Sequence, residues 1–252
     1  MMMQYFKEWS GFMGREMEFK VYGTGGVPVL AFSRQGGRFY EWEDQGMVAA
    51  VSGLLDSGRV QLFCADSVGG ETQPPPDGIA SRKRLEMQEK WYNYITRELY
   101  PRIVALNGGT AAGKVLTAGT DLGASQALNC FLRRPDLFCG AICLSVLYDI
   151  SMILGAAPDD LLYRNSPVRY LPDLGEDEDD PVLERCRAGK VFLCCGGGYG
   201  EESARVAQQE LTALLTEKQI PVSADVWGAD VSHDWYWWQK QLALILPQAA
   251  QA

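Results

Sequence analysis

Short apolar runs alternate in this chain with longer stretches whose apolar residues recur at three and four, and this alternation restricts the fold more than any other feature. VQLFCAD (60–66), KVLTAG (114–119), FCGAICLS (138–145), KVFLCCGG (190–197) and VSADVWG (222–228) read as strands. The intervening spacing predicts helices over 43–57, 81–104, 122–134, 201–218 and from 234 onward. Runs that are apolar on both sides need cover on both faces, which a parallel sheet flanked by helices provides. The expectation is an α/β chain with a mostly parallel sheet of about seven or eight strands and helices on both faces. MEFKVYG (17–23) and VPVLAFS (27–33) are expected to form a strand pair across GTGG. No internal repeat or low-complexity linker divides the sequence, so a single domain is expected over 1–252. The irregular stretch 146–185 is expected to be an insertion over the carboxyl ends of the strands, where ligands of open α/β sheets bind.

One of these strand-to-helix junctions carries a motif. In VLTAGTDLGASQALN (115–129) an apolar run meets Gly119-Thr120-Asp121-Leu122-Gly123 and then a helix-like segment. Strand, tight Gly-x-x-x-Gly turn and helix is the form of the nucleophile elbow, whose pattern is Gly-x-Ser-x-Gly. The central position here is Asp121. Ser125 follows about one helical turn later and points elsewhere, so it is not a displaced nucleophile. Lys114 and Ser145 are further spare groups without an assigned part.

The single histidine, His233, lies in GADVSHDWYWWQKQL between the last strand and the last helix. A hydrolase with such an elbow keeps its general base there, in the chain order nucleophile, acid, histidine. A histidine near a helix start is also often an ordinary polar loop residue. The acid is expected in GGGYGEESARV, where Glu201 or Glu202 would orient the imidazole and stabilise its cation. Both glutamates also suit the positive first turn of the following helix, and the spacing does not separate them. Two backbone N–H groups are needed to hold an oxyanion: one from Leu122, the other from the Gln35-Gly36 region of FSRQGGRFYEW. Among the aromatic clusters, Tyr40 and Trp235 are assigned to the pocket mouth, although aromatic residues more often pack in cores.

Composition narrows the partners. A formal charge of −9 lacks the basic footprint of a general nucleic-acid binder. No apolar run approaches the ~20 residues that span a bilayer, and no cationic start followed by an apolar segment marks a signal peptide. One histidine and seven cysteines without CxxC spacing supply no metal site, and GEDEDD (175–180) reads as a solvated loop. Cys64, Cys130, Cys139, Cys143, Cys194 and Cys195 stand in apolar surroundings and are expected to be buried thiols, which fits a reducing cytoplasm. A small acyl or alkyl molecule is the expected partner, and homo-oligomer formation is left open.

Longer strings point to a family. GREMEFKVYG, QGGRFYEWEDQGM, LRRPDLFCGAICLSVLYD, NSPVRYLPDL and HDWYWWQKQL, spread along almost the whole chain, resemble the putative-esterase family of α/β-hydrolases. That branch contains esterase D, the S-formylglutathione hydrolases and the mycobacterial mycolyltransferases. The resemblance implies an α/β-hydrolase fold and carboxylic-ester hydrolysis with no cofactor. It carries the family histidine onto His233, the oxyanion loop onto Gln35-Gly36 and the nucleophilic serine onto Asp121. At Asp121 the sequence departs from the pattern, and three readings follow. Ester hydrolysis is lost or reduced; or Asp121 attacks an alkyl carbon, as the elbow Asp of haloalkane dehalogenases and epoxide hydrolases in the same superfamily does; or the chain is a non-catalytic binding or interaction protein.

Overall fold

Eight strands form one sheet: β1 (Met3–Ser10), β2 (Arg15–Tyr22), β3 (Val27–Phe32), β4 (Val60–Ala65), β5 (Val115–Thr120), β6 (Phe138–Leu144), β7 (Lys190–Cys195) and β8 (Val222–Val226). Their spatial order is β1-β2-β4-β3-β5-β6-β7-β8. β1 pairs antiparallel with β2 and β2 antiparallel with β4, and every later pairing is parallel. The computed structural model describes residues 2–68, 81–108, 115–147, 160–175 and 181–251. This is an α/β-hydrolase fold.

Period-two alternation splits each central strand between two cores. On β3, Leu30 and Phe32 face one cluster with Trp91, Ile95, Leu128, Phe131 and Leu211, contributed by the helices that cover that side. Val29 and Ala31 face the other, with Trp42, Met47 and Leu55 and with Trp238, Leu242 and Leu246 of the last helix. A strand buried on both faces also needs partners on both edges. That explains why the expected pairing of 17–23 with 27–33 does not form: β3 lies between β4 and β5, while β2 pairs with β4 through contacts such as Tyr22 with Leu62. The GTGG segment carries the chain across β4 instead of closing a hairpin. β1, absent from the sequence reading, is an edge strand with an exposed mixed face. Its turn into β2 is held by Glu98, which accepts from Ser10 Oγ and from Gly11 N–H.

The helix expected over 43–57 is three short pieces, Glu41–Asp44, Met47–Ala50 and Ser52–Asp56, with Gly46 at φ 73° between the first two. The helix from Ser81 runs on through Leu106 with a π segment at Ile95–Leu99. Pro101 follows that wider turn; it has no N–H to give to the residue four back, and the altered register takes up the interruption. Of the seven cysteines six are buried, but Cys139 is exposed, against expectation. It sits at the amino end of β6 and lines a cleft with Val27, Leu116, Lys190 and Ala249 of the last helix. Within the stretch 146–185, Leu161 and Leu162 pack against Leu85 and Leu122, and Val168, Tyr170 and Leu171 join the first core. Residues 148–159 and 176–180 lie outside the described residues, as do PPPDG and Lys114. No described helix is long and apolar enough to cross a membrane.

The helix Leu122–Arg133 enters so close to β3 that a Cβ on Gly123 would lie 2.3 Å from the Phe32 carbonyl oxygen and 2.4 Å from that of Ser33. Backbone cannot yield as a flexible side chain does. Gly123→Ala is therefore expected to cost on the order of 1–3 kcal/mol or more of stability, read as a lower urea midpoint.

Candidate active site

The junction between β5 and the helix Leu122–Arg133 is sterically set. A Cβ on Gly119 would lie 2.1 Å from the Gly123 carbonyl oxygen, so the strand end and the helix start fit together only without side chains. Between them Asp121 adopts φ 55°, ψ −121°, a region costing of order 1–3 kcal/mol for a residue with a Cβ. Its own N–H donates to the Leu144 carbonyl (2.9 Å) and its carbonyl accepts from Ala124 N–H (3.1 Å), which fix the turn. The carboxylate is thereby lifted off the sheet.

Each oxygen of that carboxylate meets a different group. Oδ2 accepts a hydrogen bond from the Gln35 backbone N–H at 3.2 Å. Gln35 is held in a turn closed by Gly37 N–H donating to Arg34 carbonyl (3.0 Å), with Gly36 at φ 76°. Leu122 is the first residue of its helix, so its N–H is one of those a helix leaves without an internal partner. Oδ1 lies 3.8 Å from His233 Nε2.

His233 follows β8, with its N–H donating to the Tyr199 carbonyl at 3.0 Å. The next residue, Asp234, caps the last helix by accepting from Trp237 N–H (3.3 Å), which anchors the histidine to a rigid element. On the far side of the ring, Nδ1 faces Glu201 Oε2 at 3.5 Å, and neither atom has another partner among the described residues. Glu201 is wholly buried at the cap position of the helix Glu202–Glu217; its Oε1 accepts from Ser145 Oγ at 2.6 Å. Burial opposes the imidazolium, but the hydrogen bond and charge of Glu201, followed by the charge of Asp121, outweigh it and raise the His233 pKa. Arg34 works in the opposite direction.

The structure thus brings Asp121, His233, Glu201 and the Gln35 N–H together, with Leu122 and Gly36 in the flanking turns. Glu202 is exposed on the first helical turn, one position round from the buried acid. Trp235 packs edge-on to Trp238 with Arg34 5.9 Å over its ring, beside the site. Tyr40 is 40% exposed; its ring meets Phe39, which in turn meets Tyr5 on β1. Ser125 donates to the Leu147 carbonyl and faces away from the carboxylate. Sequence reasoning missed Arg34 and Glu41, an ion pair (3.3 Å) beside Asp121, and left Ser145 without a part. The run RQGGRFYE holds both members of that pair, but nothing in it signals their contact across the turn.

A family model described as "Putative esterase" matches residues 10–249. The chain belongs to that family. No curated protein sequence matches it. Among solved structures, a ferulic acid esterase superposes with TM-score 0.76 at 18% identity, over 99% of this chain and 98% of that one. Mycobacterium tuberculosis MPT51 (FbpC1) gives TM-score 0.76 at 14% identity, over 100% and 99%. Staphylococcus aureus S-formylglutathione hydrolase gives 0.67 at 12%, over 99% and 97%. At such identities the likeness is one of fold.

Because the chain has a single histidine, its titration is read from one NMR signal. The wild-type pKa is expected above the ordinary 6.5, and Asp121→Asn is expected to lower it. The folded state binds this proton more tightly than the unfolded chain. Its contribution to stability is therefore complete below pH 6.5 and fades as pH rises through the higher folded value. A wild-type value below 6.5 contradicts the arrangement of charges.

Proposed function

We propose that this esterase-family hydrolase carries Asp121 where the family's nucleophilic serine belongs, and that ester hydrolysis through an acyl-enzyme is lost or much reduced. The observation that carries this reading is the hydrogen bond from Gln35 N–H to Asp121 Oδ2. That N–H is one of the two donors an oxyanion needs, and a resident carboxylate is already using it. An acyl carbon attacked by a carboxylate would give a mixed anhydride, a poor route to ester cleavage. Removing a triad nucleophile costs on the order of a million-fold in turnover. A raised His233 pKa also leaves less neutral imidazole to act as base near neutral pH. The occupant suited to the site is a small acyl or alkyl molecule.

A second reading is supported by the other oxygen. Oδ1 is not bound to Gln35 and lies toward His233. It has the electron pair to displace a leaving group from an alkyl carbon, forming an alkyl ester of Asp121 while the leaving group departs with its bonding pair. Water, giving its proton to His233, would then attack the ester carbonyl carbon, with Oδ2 still on Gln35 N–H, and the alcohol would leave.

Wild-type protein is expected to hydrolyse p-nitrophenyl acetate near the background rate. Asp121→Ser frees the Gln35 N–H and restores a hydroxyl in a turn that already holds its glycines, so cleavage is expected to rise at least about a hundredfold. Adding His233→Ala is expected to abolish the gain. Robust wild-type turnover blocked by a serine-directed phosphonate defeats the first reading. For the second, His233→Gln incubated with haloalkanes and epoxides is expected to accumulate an Asp121 adduct visible in its intact mass. A folded variant that stays unmodified across the panel removes that reading.

A further inference from the structure

We propose that Ser145 is a positioning residue: together with Trp238 it holds Glu201 so that one carboxylate oxygen faces His233. The inference rests on the reading of Glu201 and His233 as a working pair, but the measurement that decides it, the His233 titration, needs no substrate.

Ser145 directly follows β6, is fully buried, and sits at φ 51°, an unfavourable conformation for a residue with a Cβ. Its N–H donates to the Cys194 carbonyl on β7 (2.8 Å), so the backbone is pinned between two strands. The hydroxyl has two partners. Trp238 Nε1 lies 2.8 Å from Oγ, and Glu201 Oε1 lies 2.6 Å from it. An indole N–H only donates, so Oγ accepts from Trp238, and the single hydroxyl proton is left for Glu201. The direction of the relay is forced: Trp238 to Ser145 to Glu201. The carboxylate is then bound at Oε1, and Oε2 is left to His233 Nδ1 at 3.5 Å.

Trp238 also braces the other partner. Its ring packs edge-on to the imidazole, with centroids 4.8 Å apart and an interplanar angle of 83°. One fully buried residue therefore touches the histidine with its ring and fixes the acid through its N–H. The groups that face the imidazole are Glu201 from the loop after β7, Asp121 from the elbow, Arg34 from the loop after β3 and Trp238 from the last helix. Without the serine hydroxyl, a buried carboxylate loses its only bound donor among the described residues. Burial then favours its neutral form or a swing away from the ring, and the support for the imidazolium falls.

The test is the NMR titration of His233 in wild type, Ser145→Ala, Ser145→Gly and Trp238→Phe. Glycine suits the positive φ and lacks the hydroxyl, so Ser145→Gly keeps the experiment readable if the alanine variant fails to fold. Both serine variants are expected to lose the upward shift and titrate at or below 6.5, and Trp238→Phe, which keeps a ring against the imidazole, to lose part of it. In an Asp121→Ser background, Ser145→Gly is expected to lower kcat for p-nitrophenyl acetate at least about tenfold with little change in KM, and to shift its pH profile. A His233 pKa unchanged or raised in the folded Ser145→Gly protein overturns the proposal. An inactive Asp121→Ser protein whose His233 still responds to Ser145 overturns only the functional reading above.

Discussion

The site depends on the close approach of three backbone segments: the end of β5 at Gly119, the start of the elbow helix at Gly123, and the end of β3 at Phe32 and Ser33. At both glycines a single added carbon would lie within 2.4 Å of a carbonyl oxygen. That contact forces the residue between them into a strained turn and sets the β3 loop beside it. Gln35 N–H and the Asp121 carboxylate meet because glycine at 119 and 123 lets these segments approach so closely. A turn that costs free energy at Asp121 is held in place by the packing of a long apolar helix, buried from Leu122 through Leu132.

Electrostatics then set the charge state of the site. Two carboxylates flank one imidazole, and a third, Glu41, lies close enough to Asp121 to feel its charge. Burial raises the Glu41 pKa while its pairing with Arg34 resists the shift. In the proposed reading, a developing oxyanion would arrive among these charges and find the Gln35 donor taken. The same charges stabilise a cationic His233. A machine for acyl transfer requires the reverse of both conditions, an open donor and a neutral base.

Much of this was legible in the chain, for identifiable reasons. Continuous apolar runs such as VQLFCAD and FCGAICLS report burial on two faces, and the parallel sheet follows. The elbow was readable because its sterics demand glycine at two fixed places. His233 stood out by being alone. Other features failed where the signal is local and the cause is distant. GTGG resembles a hairpin turn, yet β3 is drawn inward by its two buried edges. β1 interleaves Met3, Tyr5, Phe6 and Trp9 with Gln4, Lys7 and Glu8, so it holds no continuous apolar run to register as part of a sheet. Glu201 and Glu202 are neighbours in sequence, but only the helix start decides which is buried. Ser145 was invisible as a structural group because the indole that orients its hydroxyl lies 93 residues away.

The central claim is that the Gln35 N–H is an anion-binding donor and that the Asp121 carboxylate occupies it. Acetate titrated into wild type and into Asp121→Gly, followed at the His233 resonance, tests this directly, since glycine accepts the elbow conformation and removes only the carboxylate. Saturable acetate binding in Asp121→Gly, with no response in wild type under the same conditions, is the predicted result. Equal binding by both proteins, or none by a folded Asp121→Gly, would contradict it.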